Sequence, residues 1–161
     1  MTIFHVPGNA STGRAATPGP SHSDVVILIR HASAGDRETW DGLDRLRPLD
    51  ERGLRQAAEL VDLLASHELS RLLSSPALRC VQTIGPLAEG RGIQVEIRDE
   101  LSEERQQADG ASLVHGLEGN AAAVSCHGGL SNAVCGVSQR KSEVLVVERG
   151  IVVDRVRARG R

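Results

Sequence analysis

The chain has 161 residues, with 19 Lys and Arg against 21 Asp and Glu and a formal net charge of -2. That length suits one domain with a single sizeable core, and that charge gives no overall field to draw in nucleic acid or an anionic membrane. One Trp, one Phe and no Tyr leave no aromatic platform for single-stranded nucleic acid, and no apolar run approaches the length of a membrane span.

Taken in chain order, residues 1–23 are rich in Pro, Gly, Ser, Thr and Ala without a continuous hydrophobic stretch. They read as a flexible tail rather than a signal peptide, leaving 24–161 as the folded domain. The run "VVILIRHASAG", Val25 to Gly35, starts as a strand buried on both faces and ends abruptly in Arg30-His31. A polar loop follows to Pro48. The next stretch predicts a helix capped by Asp50, with Leu54, Ala57, Ala58, Val61 and Leu64 as its apolar stripe. "SRLLSSP" is a short buried strand ending at Pro76. "ALRCVQTIGPLAEG" is a helix with Ala77, Cys80, Val81, Ile84 and Ala88 on one side and Pro86 as an awkward interior residue. "IQVEIR" alternates as a half-exposed strand, "AAAVSC" is another buried one, and a short helix is expected after Gly129. "EVLVVERGIVVDRVRA" is a hairpin turning at Arg149-Gly150. Together these predict a three-layer α/β sandwich with a mostly parallel central sheet and a C-terminal antiparallel hairpin.

In such folds ligands bind at the carboxyl ends of strands. Arg30 and His31 end the first strand, His127 ends "AAAVSC", and Arg79 lies in the first turn of the helix after "SRLLSSP". Gly128 and Gly129 let the backbone approach a ligand closely, and the amides opening the next helix form an anion site. Singly, a histidine after a strand is most often a hydrogen-bonded structural residue and an arginine at a helix start a solvated one. Two arginines and two histidines at three strand ends make a phosphate pocket. His5, His22, His67 and His115 show no ligand spacing, so no metal site is expected. Cys80, Cys126 and Cys135 lack CxxC spacing and read as reduced thiols of a cytoplasmic protein, Cys126 as a small buried strand residue.

The pieces "LIRHASAG", "DRLRPLDERGLRQA", "LLSSPALRCVQT", "ELSEE" and "SCHGG", in this order from Val25 to Leu130, resemble the histidine phosphatase superfamily, also called the phosphoglycerate mutase-like fold. The resemblance implies phosphoryl transfer without metal or other cofactor. His31 would be the nucleophile, Arg30, Arg79, His127 and Gly128 would hold the phosphoryl oxygens, and Glu103, or its neighbour Glu104, would protonate the leaving group. His127 counts with His31 and Glu103 as catalytic. Ala32-Ser33 stands where the superfamily's mutases have Gly-Glu, which disfavours mutase activity. The short span from Glu103 to His127 leaves no room for their long lid, so an open pocket is expected. The pattern is similar to the SixA-type phosphohistidine phosphatases and to the phosphatase half of some two-domain Nudix proteins. Three readings follow: a monomeric phosphatase for phosphohistidine on a protein or for a small phosphorylated metabolite, a nucleotide-directed phosphatase, or a silent phosphate-binding module.

Overall fold

Residues 24–161 are described by the computed structural model, and the expected tail lies outside them. The strands are β1 (Val25–Arg30), β2 (Arg71–Ser74), β3 (Val95–Ile97), β4 (Ala122–Cys126), β5 (Glu143–Glu148) and β6 (Ile151–Arg157). They form one six-stranded sheet of order β3-β2-β4-β1-β5-β6. The first four in that order run parallel, and β5 and β6 add an antiparallel hairpin at the β1 side. Its turn has positive φ at both Arg149 and Gly150, the conformation that matches a two-residue turn to the strand twist. The expected α/β architecture is the observed one.

Four α-helices cover the sheet: α1 (Glu51–Leu63), α2 (Leu78–Arg91), α3 (Ala111–His115) and α4 (Gly128–Cys135). Because side chains alternate along a strand, β1 feeds two cores. Val26 and Leu28 pack with Leu101, Val114, Leu117, Leu130 and Val134 on one face. Ile27 and Ile29 pack with Leu60, Leu64, Ile84 and Leu87 on the other. This double burial explains why β1 and β4 carry unbroken apolar runs, whereas the edge strand β3 is only partly covered.

Two expectations need correction. The buried face of α1 is Gly53, Gln56, Ala57 and Leu60, with Leu54 53% exposed. The helix is rotated because Gly53 meets the loop after β1, where an added Cβ would lie 1.9 Å from the Ser33 carbonyl oxygen. Gln56 then accepts from the Ser33 amide at 2.9 Å. Secondly, α4 starts at Gly128, two residues early. Residues 99–115, for which the sequence predicted no element, form a succession of tight helical turns, ending in α3. They cover one sheet face through Leu101 and Val114. Pro86 stands inside α2 without ending it, and Gly92, at φ 64°, closes the helix.

Gly53→Ala should destabilise the fold by about 1–3 kcal/mol through overpacking against backbone. Gly85→Ala in α2, with nothing within 4 Å of the new Cβ, should stabilise it by up to about 1 kcal/mol through helix propensity. Urea unfolding midpoints of the two variants should therefore move in opposite directions.

Candidate active site

Since β2, β4 and β1 are consecutive and parallel, their carboxyl ends open side by side. His31 follows β1, His127 follows β4 and caps α4, and Arg79 reaches back from the first turn of α2. The two imidazoles lie edge to face with centroids 5.5 Å apart. Arg79 is 1% exposed, His127 3% and His31 5%. Arg30 lies across the start of α4, where a Cβ at Gly128 would sit 3.1 Å from its Cζ. The structure thus brings together Arg30, His31, Arg79, His127 and Gly128.

His31 is fixed by its surroundings. Its amide donates to the Cys126 carbonyl at 2.9 Å, and its Nδ1 lies 2.9 Å from the Ala32 carbonyl oxygen. A carbonyl only accepts, so Nδ1 carries the proton and Nε2 keeps its lone pair. Thr83 of α2 accepts from the Ala32 amide at 2.9 Å. Asp50 accepts from Ser33 Oγ at 2.7 Å and from the Gly35 amide at 3.0 Å while capping α1 through Gly53. Burial pushes the His31 pKa down to about 3; the Ala32 bond opposes this, and His127, Arg79 and Arg30 add to the fall.

His127 contacts Ser75 Oγ at 2.8 Å through Nε2 and Arg79 Nη2 at 3.5 Å through Nδ1. Its pKa falls to about 4 by burial and then by Arg79, against Glu103, Glu104 and Asp44. Both rings are therefore neutral at pH 7. Arg79 donates to the Asp44 carbonyl at 2.8 Å and pairs with Asp44 Oδ2 at 3.1 Å and Glu103 Oε2 at 3.3 Å. Arg30 Nη1 donates to the Gln139 carbonyl at 2.6 Å. The Nε of each arginine is buried without a partner among the described residues, so each guanidinium retains an unused donor.

Glu103 sits over this group in the lining of two adjoining hollows. One, of about 410 Å³, is bounded by Arg30, His31, Arg37, Arg47, His127, Lys141 and others. The other, of about 290 Å³, reaches Arg79, Ser75 and Glu104. Both Glu103 oxygens accept from Arg37 Nη2, at 2.8 and 2.9 Å, so an exposed ion pair crosses the mouth of the cleft. Burial raises the Glu103 pKa, but the Arg37 bond, His127 and Arg79 outweigh it and hold it below the usual carboxylate range. Glu104 is exposed and lines only the smaller hollow.

Sequence reasoning passed over Arg37, Asp44 and Arg47 in the loop after β1, and Ser75, Gln139 and Lys141. Among the described residues no group of three His, Cys, Asp or Glu is disposed to hold a metal ion, and no helix is long and apolar enough to cross a membrane. Cys80 and Cys126 are free and buried, and Cys135 is free and partly covered. Burial pushes the Cys80 thiol up to about 12.

The profile of the histidine phosphatase superfamily, branch 1, matches residues 26–112, more than half of the chain. The chain belongs to that superfamily. It is 36% identical over 109 residues to an 8-oxo-(d)GTP phosphatase of Mycolicibacterium smegmatis. The match covers 68% of this chain and 34% of that protein, so the chain spans about a third of its relative. SixA from Agrobacterium tumefaciens superposes with a TM-score of 0.69 at 23% identity, over 83% of this chain and 97% of that one. A mycobacterial glucosyl-3-phosphoglycerate phosphatase superposes with a TM-score of 0.62 at 16% identity, over 76% and 89% of the two chains. These two likenesses are of fold.

The neutral imidazoles make stability depend on pH. In the unfolded chain His31 returns to about 6.5, so the unfolded state binds more protons between about pH 3 and 6.5, and stability is lost on acidification through that window. Urea midpoints should fall from pH 7 to pH 5, above the range where carboxylates titrate. His31→Asn, which cannot titrate, should flatten that fall, and a midpoint rising with acid would contradict the assignment.

Proposed function

We propose that the chain is a phosphatase that needs no metal and works through a phosphohistidine on His31. What carries this reading is the Nδ1 bond of His31 to Ala32, which leaves an Nε2 lone pair on a ring kept neutral, in a cleft that Arg30 lines and whose adjoining hollow holds Arg79. A neutral imidazole is a competent nucleophile, and its labile phosphoramidate divides one hard displacement into two easier ones. His31 Nε2 bonds to phosphorus as the bond to the leaving group breaks. Arg30, Arg79, His127 and the amide of Gly128 take the phosphoryl oxygens, where fixed donors stabilise the charge of the transition state.

Glu103 is the proton donor in this reading. An arriving phosphate takes over part of Arg79 and adds negative charge beside Glu103, and both effects raise its proton affinity. It protonates the departing oxygen, then takes a proton from the water that attacks the phosphohistidine, releasing inorganic phosphate. Glu103, facing Arg79 and His31's cleft, suits this role better than Glu104.

The substrate class is a phosphorylated small molecule or a phosphohistidine on a protein. A nucleotide-directed reading is favoured by the Mycolicibacterium relative and by Trp40. This only tryptophan lines a hollow that shares Gly35, Asp36 and Arg47 with the catalytic cleft, and its ring is anchored by a 3.1 Å bond from Nε1 to the Leu43 carbonyl.

His31→Ala should abolish turnover of p-nitrophenyl phosphate and remove the labelled phosphohistidine that alkaline-quenched wild type displays; retained activity would sink the mechanism. Glu103→Gln should slow alkyl phosphates by about 10² while slowing p-nitrophenyl phosphate far less, since only the poor leaving group needs the proton. Equal losses would mean that Glu103 positions rather than protonates.

A further inference from the structure

Lys141 is the only lysine in a chain with 19 Lys and Arg, and it lines the catalytic cleft beside Arg30, Arg47 and His31. It stands on the segment between α4 and β5, which is tied to the end of the nucleophile strand on both sides of it. The Ser142 amide donates to the carbonyls of Arg30 and His31 at 3.1 and 3.2 Å. Gln139 donates through Nε2 to the carbonyls of Leu28 at 2.9 Å and Glu143 at 2.7 Å, while its own carbonyl accepts from Arg30. The backbone of Lys141 is therefore held in place, although its side chain is only partly buried.

Its cationic neighbours are Arg30 and Arg47. Burial lowers the Lys141 pKa, Arg30 and Arg47 lower it further, and Asp50 opposes them. Among the described residues Lys141 has no carboxylate within ion-pair distance, whereas Arg47 is committed to Asp44 at 3.0 Å and to the Ala34 carbonyl at 2.5 Å. The transferred phosphoryl group already has Arg30, Arg79 and His127. A further compact cation, with three rotatable donors on a flexible stem, is a point-charge partner for another phosphate.

We propose that Lys141 forms a subsite for a second phosphate joined to the transferred one, so that the cleft takes diphosphate esters. The inference rests on His31 being the phosphoryl acceptor. The bond from His31 Nε2 to the terminal phosphorus forms as the bridging P–O bond breaks, and the bridging oxygen leaves on a phosphate monoester held by Lys141. Water then releases the terminal group as inorganic phosphate. Such a leaving group is weakly basic, so this substrate depends less on Glu103 than an alkyl phosphate does.

The test is calorimetric titration of wild type, Lys141→Met and Lys141→Arg with inorganic phosphate and with inorganic pyrophosphate. Wild type should bind pyrophosphate at least about tenfold more tightly than phosphate, as an added charge-assisted contact implies. Lys141→Met should lose most of that advantage, with less than about a threefold change for phosphate, and Lys141→Arg should keep part of it. Equal weakening of both anions would assign Lys141 to the transferred group and overturn the subsite, as would no change for either. Binding is read without turnover, so the two proposals fail separately. Tight pyrophosphate binding by a wild type inert towards p-nitrophenyl phosphate refutes the phosphatase reading alone, and an active wild type without the pyrophosphate preference refutes the subsite alone.

Discussion

Arg79, His31 and His127 are crowded nearly out of water at adjacent strand ends, with the partly buried Arg30 beside them. This crowding is the constraint from which the rest of the site follows. Arg79 cannot shed its charge, so Asp44, Glu103 and a backbone carbonyl are drawn around it. The histidines can shed theirs, and do. Burial first, and then the nearby positive charge, keeps both imidazoles neutral at physiological pH, so on the proposed reading no separate base is needed to deprotonate His31.

The sheet alone does not aim His31. The residues after β1 leave the strand and are caught between two helices, by Asp50, Gly53 and Gln56 of the α1 end and by Thr83 of α2. The same Asp50 carboxylate caps a helix and holds the loop. The placement of α1 and the placement of His31 are therefore one problem, and the small residues Ala32, Ala34 and Ala57 form a cluster with Leu49 at that junction. A larger side chain in any of them would separate the loop from the helix.

The strands, their parallel arrangement and the three strand ends were legible because double burial writes an unbroken apolar run, and because Arg30, His31, Arg79 and His127 each follow such a run or open the next helix. The face of α1 was not, since its contact residues Gly53 and Gln56 are not apolar and leave no periodic trace. The turns over 99–115 escaped for a similar reason: few apolar anchors sit among acids and glutamines. Arg37, Asp44 and Arg47 are ordinary loop charges whose partners are chosen only in three dimensions. Lys141 carried one readable signal, its being the sole lysine.

The place of β1 in the sheet has a consequence for biosynthesis. Its neighbours are β4 and β5, so Val26 pairs with Ala122 on one side and Val147 on the other. At roughly 5–20 residues per second, the nascent chain carries "VVILIR" without its partners for on the order of ten seconds. During that interval its ladder groups are unpaired and its apolar side chains uncovered, and any structure that forms must be built without the strand that leads into His31. Such long-range pairing also slows folding once the chain is made. A strand buried on both faces of the finished fold thus waits longest for its partners during its making, and chaperone occupancy of the nascent chain should be greatest there.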